Sequence, residues 1–226
     1  MSILSVPVPA APVLAGPGRS ARRVLMAMAA LLTAAVPACS PPEPVRPPDI
    51  IVVVLDTARR DHFSLYGYDR PTTPAFDALA AECVRFDRAY STSCWTVPSH
   101  ASLFTGLYPV AHGANQRSQY LDGSAETLAE RLAAAGYQTA SFSSNPWISE
   151  KANLAQGFEH AEVVATGRTR PRGRGLPHAL NDKALAWLDA RDAARPGFLF
   201  LNYIEPHWKY QAPTEFQRKF LGDAAP

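Results

Sequence analysis

The chain is short of several things, and each shortage excludes something. It has 3 cysteines in 226 residues, too few for a disulfide-stapled scaffold. It has no excess of either charge: 22 basic residues against 20 acidic ones leave a net charge of +2. That balance argues against nucleic acid or an anionic membrane surface as a partner. It has no apolar run long enough to span a bilayer, which takes ~20 residues. The best stretch, Val24 to Val36, runs about 13. It has no internal repeat. What is left, at 47% hydrophobic and 19% charged, is an ordinary globular composition. The part after Cys39 is long enough for one domain with a sizeable core.

That apolar stretch follows Arg19, Arg22 and Arg23, and reads as the hydrophobic segment of an export signal. Arg22-Arg23 also weakly resembles a twin-arginine signal. Val36-Pro37-Ala38-Cys39 resembles a bacterial lipobox, imperfect at Pro37. Cys39 is then either the lipidated first residue of the mature chain or an incidental cysteine beside an ordinary cleavage site. A Pro-rich linker follows through Pro48. The organisation expected is a signal over 1–38, a linker over 39–48 and a domain over 49–226. The expected location is exported, in the bacterial envelope or periplasm, with membrane contact only through Cys39. Export would leave Cys83 and Cys94 in an oxidising compartment. Two buried thiols are favoured over a bridge between them.

The rest alternates in an α/β manner. Ile50-Ile51-Val52-Val53-Val54-Leu55 is a continuous apolar run, as in a strand buried on both faces. The pattern predicts a helix over 73–82, a short strand over 84–86 and a helix over 98–105. It then predicts a helix over 125–135, on which Leu128, Leu132 and Ala135 share a face. A strand over 138–143, a helix over 177–194 and a strand over 198–204 complete the layout. Gly106 and Gly136 are positioned to end helices. Leu180, Trp187 and Leu188 read as core. Arg168, Arg170, Arg172 and Arg174, mixed with Thr, Pro and Gly, read as an exposed loop, although arginine forks also bind phosphate and sulfate.

Two segments carry chemistry. In Ser93-Cys94-Trp95-Thr96-Val97-Pro98-Ser99-His100, a hydroxyl stands two places before Pro-Ser. Pro98 suits the first turn of a helix. Thr96 is then either an N-cap or a nucleophile at a helix mouth, where free N–H groups face an anionic ester. The apolar run ends at Asp56-Thr57-Ala58-Arg59-Arg60-Asp61-His62. Ligands of open α/β sheets bind beyond the carboxyl ends of strands, so Asp56 is either a hard-metal ligand or a solvated turn carboxylate.

Taken in order, several segments resemble the start of a sulfatase-type domain of the alkaline phosphatase superfamily. They are Val54 through His62, Tyr66-Gly67-Tyr68, Thr73 through Ala80 and Val84-Arg85-Phe86. Ala89-Tyr90-Ser91, Thr96 through Ser99, Thr105 through Pro109, and His112-Gly113 continue the series. The resemblance implies a mostly parallel central sheet with helices on both faces, here apparently truncated. It implies a divalent metal (Ca, Mg, Mn or Zn) and an anionic ester substrate, phosphate or sulfate, on a glycan or a lipid.

The departures from the family shape the chemistry. Formylglycine sulfatases carry Cys or Ser where this chain has Thr96, and a β-branched Thr cannot give the aldehyde. The family's Arg after Pro-Ser is His100, its Asp pair is Asp56-Thr57, and its Lys-Trp-His segment is replaced by Ser143-Ser144-Asn145-Pro146-Trp147. These features resemble the superfamily's phosphotransferases and phosphodiesterases, in which a metal-activated Thr is the nucleophile. The resemblance implies Asp56 and Thr96 as metal ligands, and Thr96, His100 and His207 as catalytic residues. It implies Asn145 and Lys209 as substrate contacts. No Asp-His-Gly or Asp-Asn-Gly follows Thr96, so the chain reads as the front of a longer domain with an incomplete metal site. Asp182 and Asp192 read as solvated helix residues. Three functions stay open: a Thr-dependent phosphoester hydrolase or phosphotransferase, a sulfuric ester hydrolase without formylglycine, and an inactive envelope lipoprotein that binds an anionic glycan.

Overall fold

Four short segments form one parallel sheet in the computed structural model, which describes residues 46–164 and 175–222 apart from 209, 211 and 213. The strands are β1 (Ile50–Leu55), β2 (Gln138–Ser143), β3 (His160–Val163) and β4 (Gly197–Tyr203). Their order is β1-β4-β2-β3. In register, Ile50 lies opposite Phe198 and Leu55 opposite Tyr203, while Gln138 lies opposite Gly197 and Ser143 opposite Asn202. All strands therefore end on one edge of the sheet, the edge where ligands bind in such folds.

The helices are α1 (Pro74–Ala80), α2 (Thr96–Thr105), α3 (Pro109–His112), α4 (Leu128–Ala134), α5 (Gly175–Ala190) and α6 (Thr214–Leu221). The alternation of β4 sorts them onto two faces. Phe198 and Phe200 pack with Val97 and Phe104 of α2 and Ala129 of α4. Leu199 and Leu201 pack with Leu180 and Ala184 of α5, and Trp187 and Leu188 lie against the same cluster. Helices thus cover both faces of the sheet. No helix among the described residues is long and apolar enough to cross a membrane.

Several expectations fail here. β1 is not buried on both faces: within the described residues it lies at the end of the sheet, with Ile51 54% and Val53 47% exposed. A continuous β-branched run cannot by itself distinguish a central strand from an edge one. No strand forms over 84–86, where Val84 is 81% exposed and Phe86 is also exposed. Three residues with no neighbouring strand have no ladder to join. Cys83 and Cys94 are unpaired and exposed rather than buried. The helix expected over 125–135 is shorter, and Ala135 lies outside it and exposed. Asp182 is an exposed residue of α5, whereas Asp192 lies just past its end. β3, α3 and α6 were not anticipated. The arginines at 168–174, the leader and Cys39 lie outside the described residues.

The start of α4 shows how local chemistry locks the layout. Thr127 accepts from the Glu130 N–H at 3.2 Å, and Glu130 accepts from the Thr127 N–H at 2.8 Å, a reciprocal cap. The Thr127 hydroxyl also donates to the Gln156 carbonyl at 3.1 Å. Gly157, at φ +86°, presses against this cap: a Cβ there would lie 2.5 Å from the Glu130 nitrogen. Gly106, at φ +71°, ends α2 with nothing within 4 Å of an added Cβ. Both substitutions to Ala incur the left-handed penalty of about 1–2 kcal/mol, but only Gly157→Ala also forces the cap apart. Urea unfolding should show Gly106→Ala costing about 1 kcal/mol and Gly157→Ala about 3 kcal/mol or more.

Candidate active site

β1 delivers Asp56 to the C-terminal edge of the sheet. The Asp56 N–H donates to the Tyr203 carbonyl at 2.8 Å, so the carboxylate stands one residue beyond the strand on a backbone still tied to β4. Asp56 is 6% exposed. The next residue, Thr57, sits at φ +57°. A β-branched side chain rarely adopts this left-handed conformation, at a cost of about 1–3 kcal/mol. Such strain gathers where a fold holds a side chain in place for chemistry.

Thr96 is the first residue of α2, and Trp95, in extended conformation, occupies the N-cap position without a side-chain cap bond. The N-cap reading of Thr96 is therefore replaced: its hydroxyl does not close the helix. Pro98 is the third helical residue and carries no N–H, and the Ser99 N–H already donates to the Trp95 carbonyl. The amides of Thr96 and Val97 are left as helix-start donors without intrahelical acceptors.

Asn145 joins the two residues. Its Nδ2 donates to Asp56 Oδ2 at 2.7 Å and to Thr96 Oγ1 at 3.4 Å. Its Oδ1 accepts from the Trp147 N–H at 3.0 Å. Only one orientation of the amide meets all three bonds. Asn145 itself is buried, and its N–H donates to Ser143 Oγ at the end of β2. A carboxylate from β1, a hydroxyl from α2 and an amide from the β2 loop thus converge.

His100 lies one turn into α2 and is buried. Its Nδ1 lies 2.8 Å from the Thr96 carbonyl, an acceptor, so Nδ1 carries the proton. Nε2 then accepts from Asn202 Nδ2 at 3.4 Å. Burial pushes this imidazole below the usual histidine range, in keeping with the neutral form these bonds require. Both nitrogens are engaged, and the ring ties the start of α2 to β4. Asn202 in turn accepts from the Ser143 hydroxyl at 3.3 Å. The sequence reading missed Asn202, although a lone Asn inside Phe198-Leu199-Phe200-Leu201-Asn202-Tyr203 was the signal to follow. A second buried pair, Ser102 Oγ and His112 Nε2 at 3.0 Å, is likewise structural. The Ala114 N–H donates to His112 Nδ1, so Nε2 must be the donor and cannot act as a base toward Ser102.

His207 is freer. Its Nδ1 donates to the Trp208 carbonyl at 2.7 Å, which leaves Nε2 as the acceptor nitrogen of the ring. Two clefts meet at Thr96, Trp95 and His207. One, of about 570 Å³, also takes in Asp56, Cys94 and Ser93. The other, of about 360 Å³, also takes in Asn145, Trp147 and Gln119. Lys209 lies outside the described residues. No three His, Cys, Asp or Glu side chains among the described residues gather as a metal cage. Asp56 and Thr96 supply oxygen donors, right in kind for a hard divalent cation but only part of a coordination shell.

Glu205, between Tyr203 and His207, was also missed. Both its carboxyl oxygens are shielded from water and have no hydrogen-bond partner among the described residues. Burial pushes its pKa up. An acid whose folded pKa lies above its unfolded value, ~4.3, adds stability below that value and loses it as pH rises through the folded one. Glu205→Gln should therefore show a melting-temperature advantage over the native chain that grows from pH 4 to pH 8. A difference independent of pH would contradict this environment.

Comparison with known proteins follows the same lines. Residues 48–224 match the family model described as Sulfatase. The N-acetylglucosamine-6-O-sulfatase of Bacteroides thetaiotaomicron is 28% identical over 201 residues, covering 81% of this chain and 35% of that enzyme. A protein solved in complex with its substrate D-glucosamine-2-N,6-O-disulfate superposes with a TM-score of 0.69 at 26% identity, over 79% of this chain and 38% of that one. The phosphonate monoester hydrolase of Agrobacterium radiobacter shares the fold, with a TM-score of 0.66 at 22% identity over 80% of this chain and 45% of that one. The chain thus spans 35–45% of the length of these relatives. Because the family match runs from before β1 to beyond α6, through every turn that carries a site residue, the chain belongs to the sulfatase family.

Proposed function

We propose that this chain carries the nucleophile side of an ester hydrolase or transferase that acts on phosphate or sulfate esters through a covalent intermediate on Thr96. The observation that supports this reading most is the Asn145 amide, which donates to both Asp56 and Thr96. A hydroxyl and a carboxylate held by one amide at a helix mouth form an arrangement suited to an anionic group.

In the proposed reaction, Thr96 Oγ attacks the phosphorus or sulfur atom. Its proton passes to water as the new oxygen bond forms and the ester bond breaks. His207 Nε2, which carries no proton while Nδ1 donates to the Trp208 carbonyl, takes that proton from the water and passes it to the departing alkoxide. Water, or an acceptor alcohol, then displaces Thr96 from the intermediate and returns the free hydroxyl. Asn145 holds the Thr96 oxygen in place, and the Thr96 and Val97 amides donate to the charged oxygens of the substrate. His100 acts as a positioning residue, since neither ring nitrogen is free. Lys209 is proposed as a further substrate contact. A divalent cation, when bound, lowers the hydroxyl pKa and neutralises developing charge, and Asp56 and Thr96 would hold it.

Sulfate is the favoured ester, because the relative from Bacteroides thetaiotaomicron is a sugar O-sulfatase. With Thr at position 96, such activity would proceed without formylglycine. The exported location and the anchor at Cys39 remain part of the same proposal. Turnover of 4-nitrophenyl sulfate and 4-nitrophenyl phosphate, each with Ca, Mg, Mn or Zn, tests it. Thr96→Ala should lose on the order of 10³-fold or more in kcat. Turnover unchanged in Thr96→Ala would remove Thr96 from the chemistry. Anion binding without turnover in the native chain would favour a binding protein instead.

A further inference from the structure

We infer that Ser144 is a positioning residue of the proposed reaction: its hydroxyl pins the turn that carries His207 to the end of β2, and so fixes where His207 stands relative to Asn145 and Thr96. The consequence for turnover rests on the reading of His207 as the group that passes a proton to the departing alkoxide.

β2 ends at Ser143, which lies opposite Asn202 of β4. One residue further on, the Ser144 N–H still donates to the Asn202 carbonyl at 3.0 Å. In a continued parallel ladder, Ser144 would next offer its own carbonyl to the Ile204 N–H. Here Ser144 Oγ accepts that N–H instead, at 2.9 Å. The same hydroxyl donates to the Asn202 carbonyl at 3.1 Å. One hydroxyl can do both, having one proton to give and lone pairs to accept with. Because the side chain stands in for the carbonyl, the backbone is free to turn at once into Asn145. Ser144 is 5% exposed, so water has little access to replace these bonds.

The end of β4 is therefore held from both sides. The Asp56 N–H donates to the Tyr203 carbonyl on one, and Ser144 holds the Ile204 N–H on the other. The Ile204 carbonyl then accepts from the His207 N–H at 2.9 Å, which closes a turn through Glu205 and Pro206. A single residue, Ile204, thus links Ser144 to His207. Ser143 does the same for the other loop, accepting the Asn145 N–H at 3.0 Å. Two adjacent serines tie the amide beside Thr96 and the proton carrier to one strand end. They lie in the segment where the chain departs from its family's Lys-Trp-His pattern. A reacting group displaced by ~1 Å can lose ~10²-fold in rate, so a fixed turn bears directly on turnover.

Amide hydrogen exchange and turnover of the full chain test this in the native protein, Ser144→Ala, Ser144→Thr and His207→Ala. Ser144→Ala should speed exchange of the Ile204 and His207 amides about tenfold or more. The Phe200 amide, in mid-strand, should stay protected, which also shows that the variant folds. Turnover is compared on the phenyl and 4-nitrophenyl esters of sulfate and of phosphate. Nitrophenolate departs readily without a proton, whereas phenolate needs one more. Ser144→Ala should lower kcat on the phenyl ester by on the order of 10²-fold and on the nitrophenyl ester far less. KM should change little, because other bonds hold Thr96, Val97 and Asn145. His207→Ala should show the same split between esters. Ser144→Thr, which keeps the oxygen, should restore both the exchange rates and kcat. Unchanged exchange at Ile204 and His207 in Ser144→Ala, equal loss on both esters, or a folded Ser144→Thr that restores neither would overturn the inference. A split in His207→Ala without one in Ser144→Ala would overturn it and leave the role of His207 standing. No split in His207→Ala, or no turnover by the native chain, would remove the proposed role of His207 and that of Ser144 with it.

Discussion

The Asn145 amide is the constraint on which the site depends. Its oxygen is committed to the Trp147 backbone, so its nitrogen must point at Asp56 and Thr96. An amide in this position tolerates no flip, because a reversed group would set two acceptors against each other and leave a buried N–H unpaired. The same bonds tie three distant parts of the chain to one point, the end of β1, the start of α2 and the loop after β2. A second line of buried polar contacts, from Ser143 through Asn202 and His100 to the Thr96 carbonyl, sets the angle at which α2 meets the sheet. Buried polar networks of this kind are costly when incomplete and specific when complete.

The sheet supplies the rigidity. β4 lies between β1 and β2, and its alternating Phe and Leu residues anchor a different helix layer on each face. Every strand runs in the same direction, so the loops after β1, β2 and β4 emerge together. That is why residues as far apart in sequence as Asp56, Asn145 and His207 can face adjoining clefts.

Two local features cost stability near the site. Thr57 holds a left-handed backbone that its β-branch disfavours, directly after Asp56. Glu205 keeps a carboxyl group without a partner among the described residues, two residues before His207. Local rules of sequence and structure tend to break where a surface is shaped for function rather than for stability. Other polar groups, such as the His112–Ser102 pair and the Thr127–Glu130 cap, satisfy one another and hold loops in place.

The sequence by itself determined the class of the fold, the strands over 50–55, 138–143 and 198–204, and the pairing of Thr96 with a helix start. Periodicity, glycine stops and the Pro-Ser turn are local signals, and local signals survive in one dimension. It also singled out Asp56, Asn145 and His207, through their places after strands and in a family-like order. Only the tertiary structure decided that β1 is half exposed, that Val84-Arg85-Phe86 joins no ladder, and that Cys83 and Cys94 stay apart at the surface. It alone engaged both nitrogens of His100, brought Asn202 to one of them, and left Glu205 without a partner among the described residues. Each of these depends on which residue of a distant segment lies opposite. That is set by strand order and helix packing, which no single segment encodes.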